Sequence, residues 1–128
     1  MPYNILIVDD SQTMRRVLRK TVTLSGVEIG ECWEAGDGRE ALQILQSRSI
    51  DLILSDINMP GLSGLEMIQK MKREEKWRRI PVILITSLAD EERLQEASTL
   101  GVEWYLQKPF HPEVLRDLLT QMERQTYA

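Results

Sequence analysis

The sequence predicts an α/β protein: a doubly wound, five-stranded parallel sheet with five helices covering both of its faces. Three observations predict it. Short β-rich runs alternate with helical apolar stripes five times along 128 residues. Three of those runs are almost continuously apolar, as parallel strands buried on both faces must be. With 42% hydrophobic residues, a chain of this length fits one compact domain with a real core, so residues 1–128 are expected to form a single domain.

The elements follow in order. The first strand is NILIVD, residues 4–9. Met14, Val17, Leu18 and Thr21 then recur at i, i+3, i+4 and i+7, with Ser11 or Thr13 as N-cap and Gly26 as terminator of the first helix. The second run, VEIGECWEA at 27–35, is more polar and reads as an edge strand. Ala41, Leu42 and Leu45 stripe a second helix, DLILSD at 51–56 is the third strand, and Leu65, Ile68 and Met71 mark a third helix. PVILIT at 81–86 precedes a helix running from Asp90 to Gly101 on Leu94, Ala97 and Leu100. VEWYLQ at 102–107 and a last helix on Val114, Leu115, Leu118, Leu119 and Met122 complete the chain. Right-handed crossovers turn this order into an open sheet with helices on both sides.

The formal charge of −4 argues against a surface built for nucleic acid, which needs a net or strongly clustered positive field. Arg15, Arg16, Arg19 and Lys20 form one basic cluster, and Lys70, Lys72, Arg73, Lys76, Arg78 and Arg79 another that Glu74 and Glu75 interrupt. Both read as solvated helix faces, so no nucleic-acid partner is expected. Cys32 is the only cysteine, which suits a reducing compartment and reads as a small buried hydrophobe. The start, MPYNILIVDD, lacks a basic region, and its apolar run is too short for a signal peptide or a membrane span. A soluble, cytoplasmic protein is expected.

Ligands of open α/β sheets bind beyond the carboxyl ends of the strands, where the winding direction reverses. Those ends carry Asp9 and Asp10 on the first strand, Asp56 on the third, Thr86 and Ser87 on the fourth, and Lys108 before Pro109 on the fifth. If the first strand is central and the third its neighbour, the three acids share one pocket. Two carboxylates about 4 Å apart repel by roughly 4 kcal/mol at an effective dielectric near 20, so such a cluster holds a proton or a cation. Oxygen ligands with no His or Cys beside them favour a hard divalent ion, and Mg²⁺ suits a site that must also admit water and a phosphoryl oxygen. Asp56 is then placed to be the nucleophile toward a phosphoryl group, with Lys108 and Thr86 offering a cation and a hydroxyl to its oxygens. Taken singly, each acid would read as a helix cap or turn residue.

The motifs ILIVDDS at 5–11, SDINMPGLSGLE at 55–66, ILITS at 83–87 and LQKPF at 106–110 resemble, in order and position, the receiver domain of bacterial two-component response regulators, especially the single-domain chemotaxis type. The resemblance covers nearly the whole chain. It implies a flavodoxin-like sheet of strand order 2-1-3-4-5. Asp56 would accept a phosphoryl group from a phosphohistidine on a sensor histidine kinase. Asp10, Asp56 and the Asn58 carbonyl would ligate Mg²⁺, with Asp9 helping through water. Lys108 would contact the phosphoryl group or, before phosphorylation, Asp56, and Lys108–Pro109 would be cis. Thr86 would swing toward the phosphoryl oxygen while Tyr105 moves inward, a population shift in the face formed by the fourth helix, fifth strand and fifth helix. That face would signal to a flagellar motor or chemotaxis component, or to a phosphotransfer protein of a phosphorelay. Such a protein is no enzyme beyond catalysing its own phosphorylation and dephosphorylation. Gly61 and Gly64 would let the loop after Asp56 turn sharply and keep bulk away from the acid.

The chain also departs from the family pattern. Ile57 stands where chemotaxis members commonly have Trp, and Leu88 where many relatives have a polar residue that influences attacking water. Trp104 precedes Tyr105 on the expected output face, where it reads equally as an exposed anchor for a partner or as local packing. Two other functions fit the architecture less well. An Asp-nucleophile phosphatase usually has a second Asp two residues after the first, a position held here by Asn58. A nucleotide or flavin binder would need glycines or hydroxyls after the first strand, where DDSQT presents carboxylates.

Overall fold

The computed structural model describes residues 2–87 and 91–127. Five strands, β1 (Tyr3–Val8), β2 (Ile29–Ala35), β3 (Leu52–Asp56), β4 (Val82–Thr86) and β5 (Trp104–Gln107), alternate with helices α1 (Gln12–Thr23), α2 (Gly38–Ser47), α3 (Gly64–Lys72), α4 (Glu91–Thr99) and α5 (Pro112–Tyr127). The sheet has the order β2-β1-β3-β4-β5, with every pair parallel. The flavodoxin-like arrangement is therefore present, and the winding reverses between β1 and β3, as the acidic strand ends require. Among the described residues no helix is long and apolar enough to cross a membrane.

Alternation along the strands divides the core into two layers. Leu6, Val8, Ile53, Val82 and Leu84 pack with α2, α3 and α4 through Ala41, Leu45, Leu65, Met67, Ile68, Met71 and Ala97. Ile5, Ile7, Leu52, Leu54, Ile83 and Ile85 pack on the other face with Leu18, Val22, Leu115, Leu119 and Met122 of α1 and α5. Burial on both faces explains why β1, β3 and β4 read as unbroken apolar runs.

Several elements differ from the sequence reading at their edges. β2 and β5 each begin two residues later than expected, because Gly26 (φ 87°) and Gly101 (φ 92°) turn the chain and Val27 and Val102 plug the core before the ladder starts. Ser11, rather than Thr13, caps α1, its side chain accepting from the Met14 amide at 3.2 Å. The buried stripe of α1 runs through Leu18, Thr21 and Val22, leaving Val17 43% exposed, and on α5 Val114 is 46% exposed. Adjacent helical positions point about 100° apart, so one apolar residue beside the stripe can face water. The expected start of α4 at Asp90 lies outside the described residues.

Candidate functional site

Each carboxylate is delivered by a strand end. Asp9 prolongs the β1 ladder through its amide, which donates to the Ala35 carbonyl at 3.0 Å, and its side chain is 1% exposed. Its Oδ1 accepts from the Ser11 amide at 2.8 Å. Asp10, the next residue, is exposed. Asp56 is the last residue of β3, and the chain after it stays on the sheet because the Ile57 amide donates to the Ile85 carbonyl. The Asn58 amide donates to Asp56 Oδ1 at 3.2 Å. Asp9, Asp10 and Asp56 each contribute a carboxylate oxygen to a group lying within 4.8 Å of one another.

One ammonium faces this cluster. Lys108 Nζ lies 3.2 Å from Asp56 Oδ2 and 3.8 Å from Asp9 Oδ2. Three carboxylates against one lysine leave the pocket net negative, and the buried Asp9 Oδ2 accepts no hydrogen bond among the described residues. Burial raises the Asp9 pKa above its ordinary value; the Ser11 amide and Lys108 oppose this, while Asp56 and Asp10 add to it. An oxygen-only donor set with one buried, unsatisfied oxygen fits a hard divalent cation such as Mg²⁺.

The hydroxyl-bearing and cationic residues sit on the neighbouring strands. Thr86 ends β4 and is 3% exposed, and its carbonyl accepts from the Lys108 amide at 2.7 Å, which ties the lysine to the tip of β4. The Lys108–Pro109 bond is cis. Tyr105 is half-buried, and its hydroxyl donates to the Val102 carbonyl at 2.9 Å. Trp104 is half-buried and packs with the α1 and α5 layer, which is the packing alternative of the two readings. Ile57 is fully buried. Leu88 lies outside the described residues.

The loop after Asp56 is shaped by features of its own sequence. Gly61 has φ 73°, in the region that favours glycine. A Cβ on Gly64 would overlap the Asp56 main-chain oxygen, so the glycine keeps bulk from the acid's backbone rather than from its side chain. Ser63 and Glu66 form a capping box at the start of α3, which the S-x-x-E spacing of SGLE signals.

The sequence reading missed a second support. Arg15 Nη1 donates to the Asp9 carbonyl at 2.6 Å while its Nε pairs with Glu34 at 3.0 Å, and Arg19 holds the other Glu34 oxygen at 2.8 Å. The α1 cluster is thus no plain solvated face, since two of its arginines tie α1 to β2 and to the backbone of the site. No local signal marks them, because Glu34 is distant in sequence.

Comparison with known proteins agrees with this geometry. Residues 5–120 match the family described as the response regulator receiver domain. The chain is 35% identical over 118 residues to the chemotaxis protein CheY of Pseudomonas aeruginosa, covering 92% of this chain and 94% of that protein. It is 36% identical to the chemotaxis protein CheY-3 of Vibrio cholerae, covering 92% and 89%. The solved structure of the Vibrio cholerae chemotaxis response regulator CheY4 is similar, with a TM-score of 0.83 and 33% identity over 94% of this chain and 98% of that one. The chain belongs to the response regulator receiver domain family: it is a CheY-like, phosphorylation-regulated signalling domain, not a metabolic enzyme, and works between a histidine kinase and a downstream target.

Proposed function

We propose that residues 1–128 act as one receiver unit that takes a phosphoryl group from a kinase phosphohistidine onto Asp56, in chemotaxis signalling. The observation that carries this is the convergence of Asp9, Asp10 and Asp56 oxygens within 4.8 Å, with Lys108 spanning Asp56 and Asp9.

An Asp56 carboxylate oxygen attacks phosphorus as the P–N bond to the donor imidazole breaks, giving an acyl phosphate. Asp10, Asp56 and the Asn58 carbonyl would hold Mg²⁺, with Asp9 helping through water, and the ion would neutralise phosphoryl charge. Lys108, already in contact with Asp56, transfers its hydrogen bond to a phosphoryl oxygen, and the Thr86 hydroxyl donates to another. Drawing Thr86 toward the phosphoryl group frees space for Tyr105, whose present hydrogen bond to Val102 belongs to the unphosphorylated arrangement. The face made by α4, β5 and α5 changes with it and meets the downstream target. The names of the relatives support the chemotaxis assignment.

Incubation with acetyl phosphate and Mg²⁺, followed by intact mass, tests the reading. One added phosphoryl group, lost in Asp56→Asn and in chelator, is expected. Undiminished labelling of Asp56→Asn would refute it.

A further inference from the structure

The second basic cluster is unused by this chemistry. Residues 70–79 hold six cations against two acids, in a chain of net charge −4. The sequence reads as a solvated helix face, but α3 ends at Lys72 and the following residues form turns anchored by the buried Trp77. The turns are pinned: the Arg78 amide donates to the Glu74 carbonyl at 2.9 Å, and Lys72 Nζ donates to the Arg78 carbonyl at 3.0 Å. Arg78 and Arg79 are exposed, and among the described residues neither is in an ion pair.

This strip precedes β4, so it lies at the amino ends of the strands, on the pole opposite the acid cluster. Arg79 lines three hollows, of which two also hold another cation of the strip. One, of about 220 Å³, is also lined by Lys72, Glu103 and Trp104; the other, of about 240 Å³, lies between Arg78, Arg79 and Glu75. A guanidinium between two hollows suits carboxylates spaced along an extended chain, bound in bidentate fashion, with Trp104 offering an apolar wall.

We propose that the basic strip around Arg79 docks a short acidic segment of a partner protein, and does so whether or not Asp56 is phosphorylated. A broad polyanion such as a duplex or an anionic bilayer would reach beyond these two hollows to Asp51 and Glu123 and meet the field of a net negative molecule. A short segment covers only the strip. Tethering from this pole raises the effective concentration of a partner while leaving the phosphorylation site open.

Fluorescence anisotropy with a fluorescein-labelled peptide of glutamate and leucine, at low salt and at about 0.15 M, tests this. Binding is expected to fall about tenfold or more in Arg78→Glu combined with Arg79→Glu. It should hold in the α1 control Arg16→Glu combined with Lys20→Glu, and in wild-type protein treated with beryllofluoride and Mg²⁺. NMR titration of the wild type should shift the amides of Arg78, Arg79 and Trp104, which localises the site without any variant. Absence of binding at low salt, equal loss in both charge-reversed pairs, or tighter retention on anionic vesicles than on the peptide would overturn the proposal.

Discussion

Removing the charge of Asp9 should stabilise the protein when divalent metal is absent. Within 4.8 Å and at an effective dielectric of 20, Asp56 repels Asp9 by at least about 3.5 kcal/mol, and at 3.8 Å Lys108 attracts it by about 4.4 kcal/mol. The exposed Asp10 adds about 1 kcal/mol of repulsion through a more water-like dielectric. To first order the charges cancel, so burial of the 1% exposed carboxylate decides the sign. In Asp9→Asn the side-chain oxygen still accepts from the Ser11 amide, and the gain is expected to be about 1–3 kcal/mol. For a domain of this size that is a rise in Tm of about 3–10 °C, measured by circular dichroism in EDTA.

Two further readouts belong to the same variant. Because the Asp9 pKa is raised in the folded state, the wild type loses stability as pH climbs from the ordinary carboxylate value of about 3.9 through that raised value, and Asp9→Asn should not. Saturating Mg²⁺ should stabilise the wild type, by about 2.7 kcal/mol at a hundredfold excess over Kd, and the variant much less. A variant less stable than wild type in EDTA, or equally stabilised by Mg²⁺, would refute the reasoning.

Gly64→Ala should cost about 1–3 kcal/mol in urea denaturation, since the added methyl overlaps the Asp56 carbonyl oxygen; an unchanged midpoint would contradict that contact. Lys108→Ala should retain phosphorylation by intact mass yet lose most of the partner-binding response, whereas full partner binding would argue against a coupling role. In Thr86→Ala the Tyr105 ring resonances should stop responding to beryllofluoride, and a wild-type response would break the proposed link. Cys32 is half-buried, with its thiol pushed up by burial, so iodoacetamide should label it more slowly at pH 8 than a free thiol; equal rates would show an open thiol.

The doubly covered strands and the candidate acids were legible because both rest on long-range regularities, apolar runs that demand two covered faces and acids placed where those runs stop, whereas the strand order came from the family resemblance of the motifs. What escaped the sequence depends on contacts with no local signature. Val17 and Val114 looked like core residues because periodicity fixes a stripe only to within one neighbouring position. Cys32, expected in the core, is only half-buried because β2 is an edge strand with one paired side. Arg15 looked like a surface charge, yet it holds the Asp9 carbonyl because β2 brings Glu34 to meet it. The basic run after α3 looked helical because nothing in its charges shows that Trp77 folds it back into turns. The Ser63–Glu66 capping box, by contrast, could have been read directly from its spacing.

In the proposed function, three carboxylates become a phosphoryl-accepting site once a divalent cation is present. A crystal structure of the protein soaked with Mg²⁺ and beryllofluoride tests this most directly. The expected result is beryllium on an Asp56 oxygen, a metal among Asp10, Asp56 and the Asn58 carbonyl, and fluorine atoms against Lys108 and Thr86. Carboxylates turned apart around an empty cleft, or beryllofluoride bound elsewhere, would contradict it.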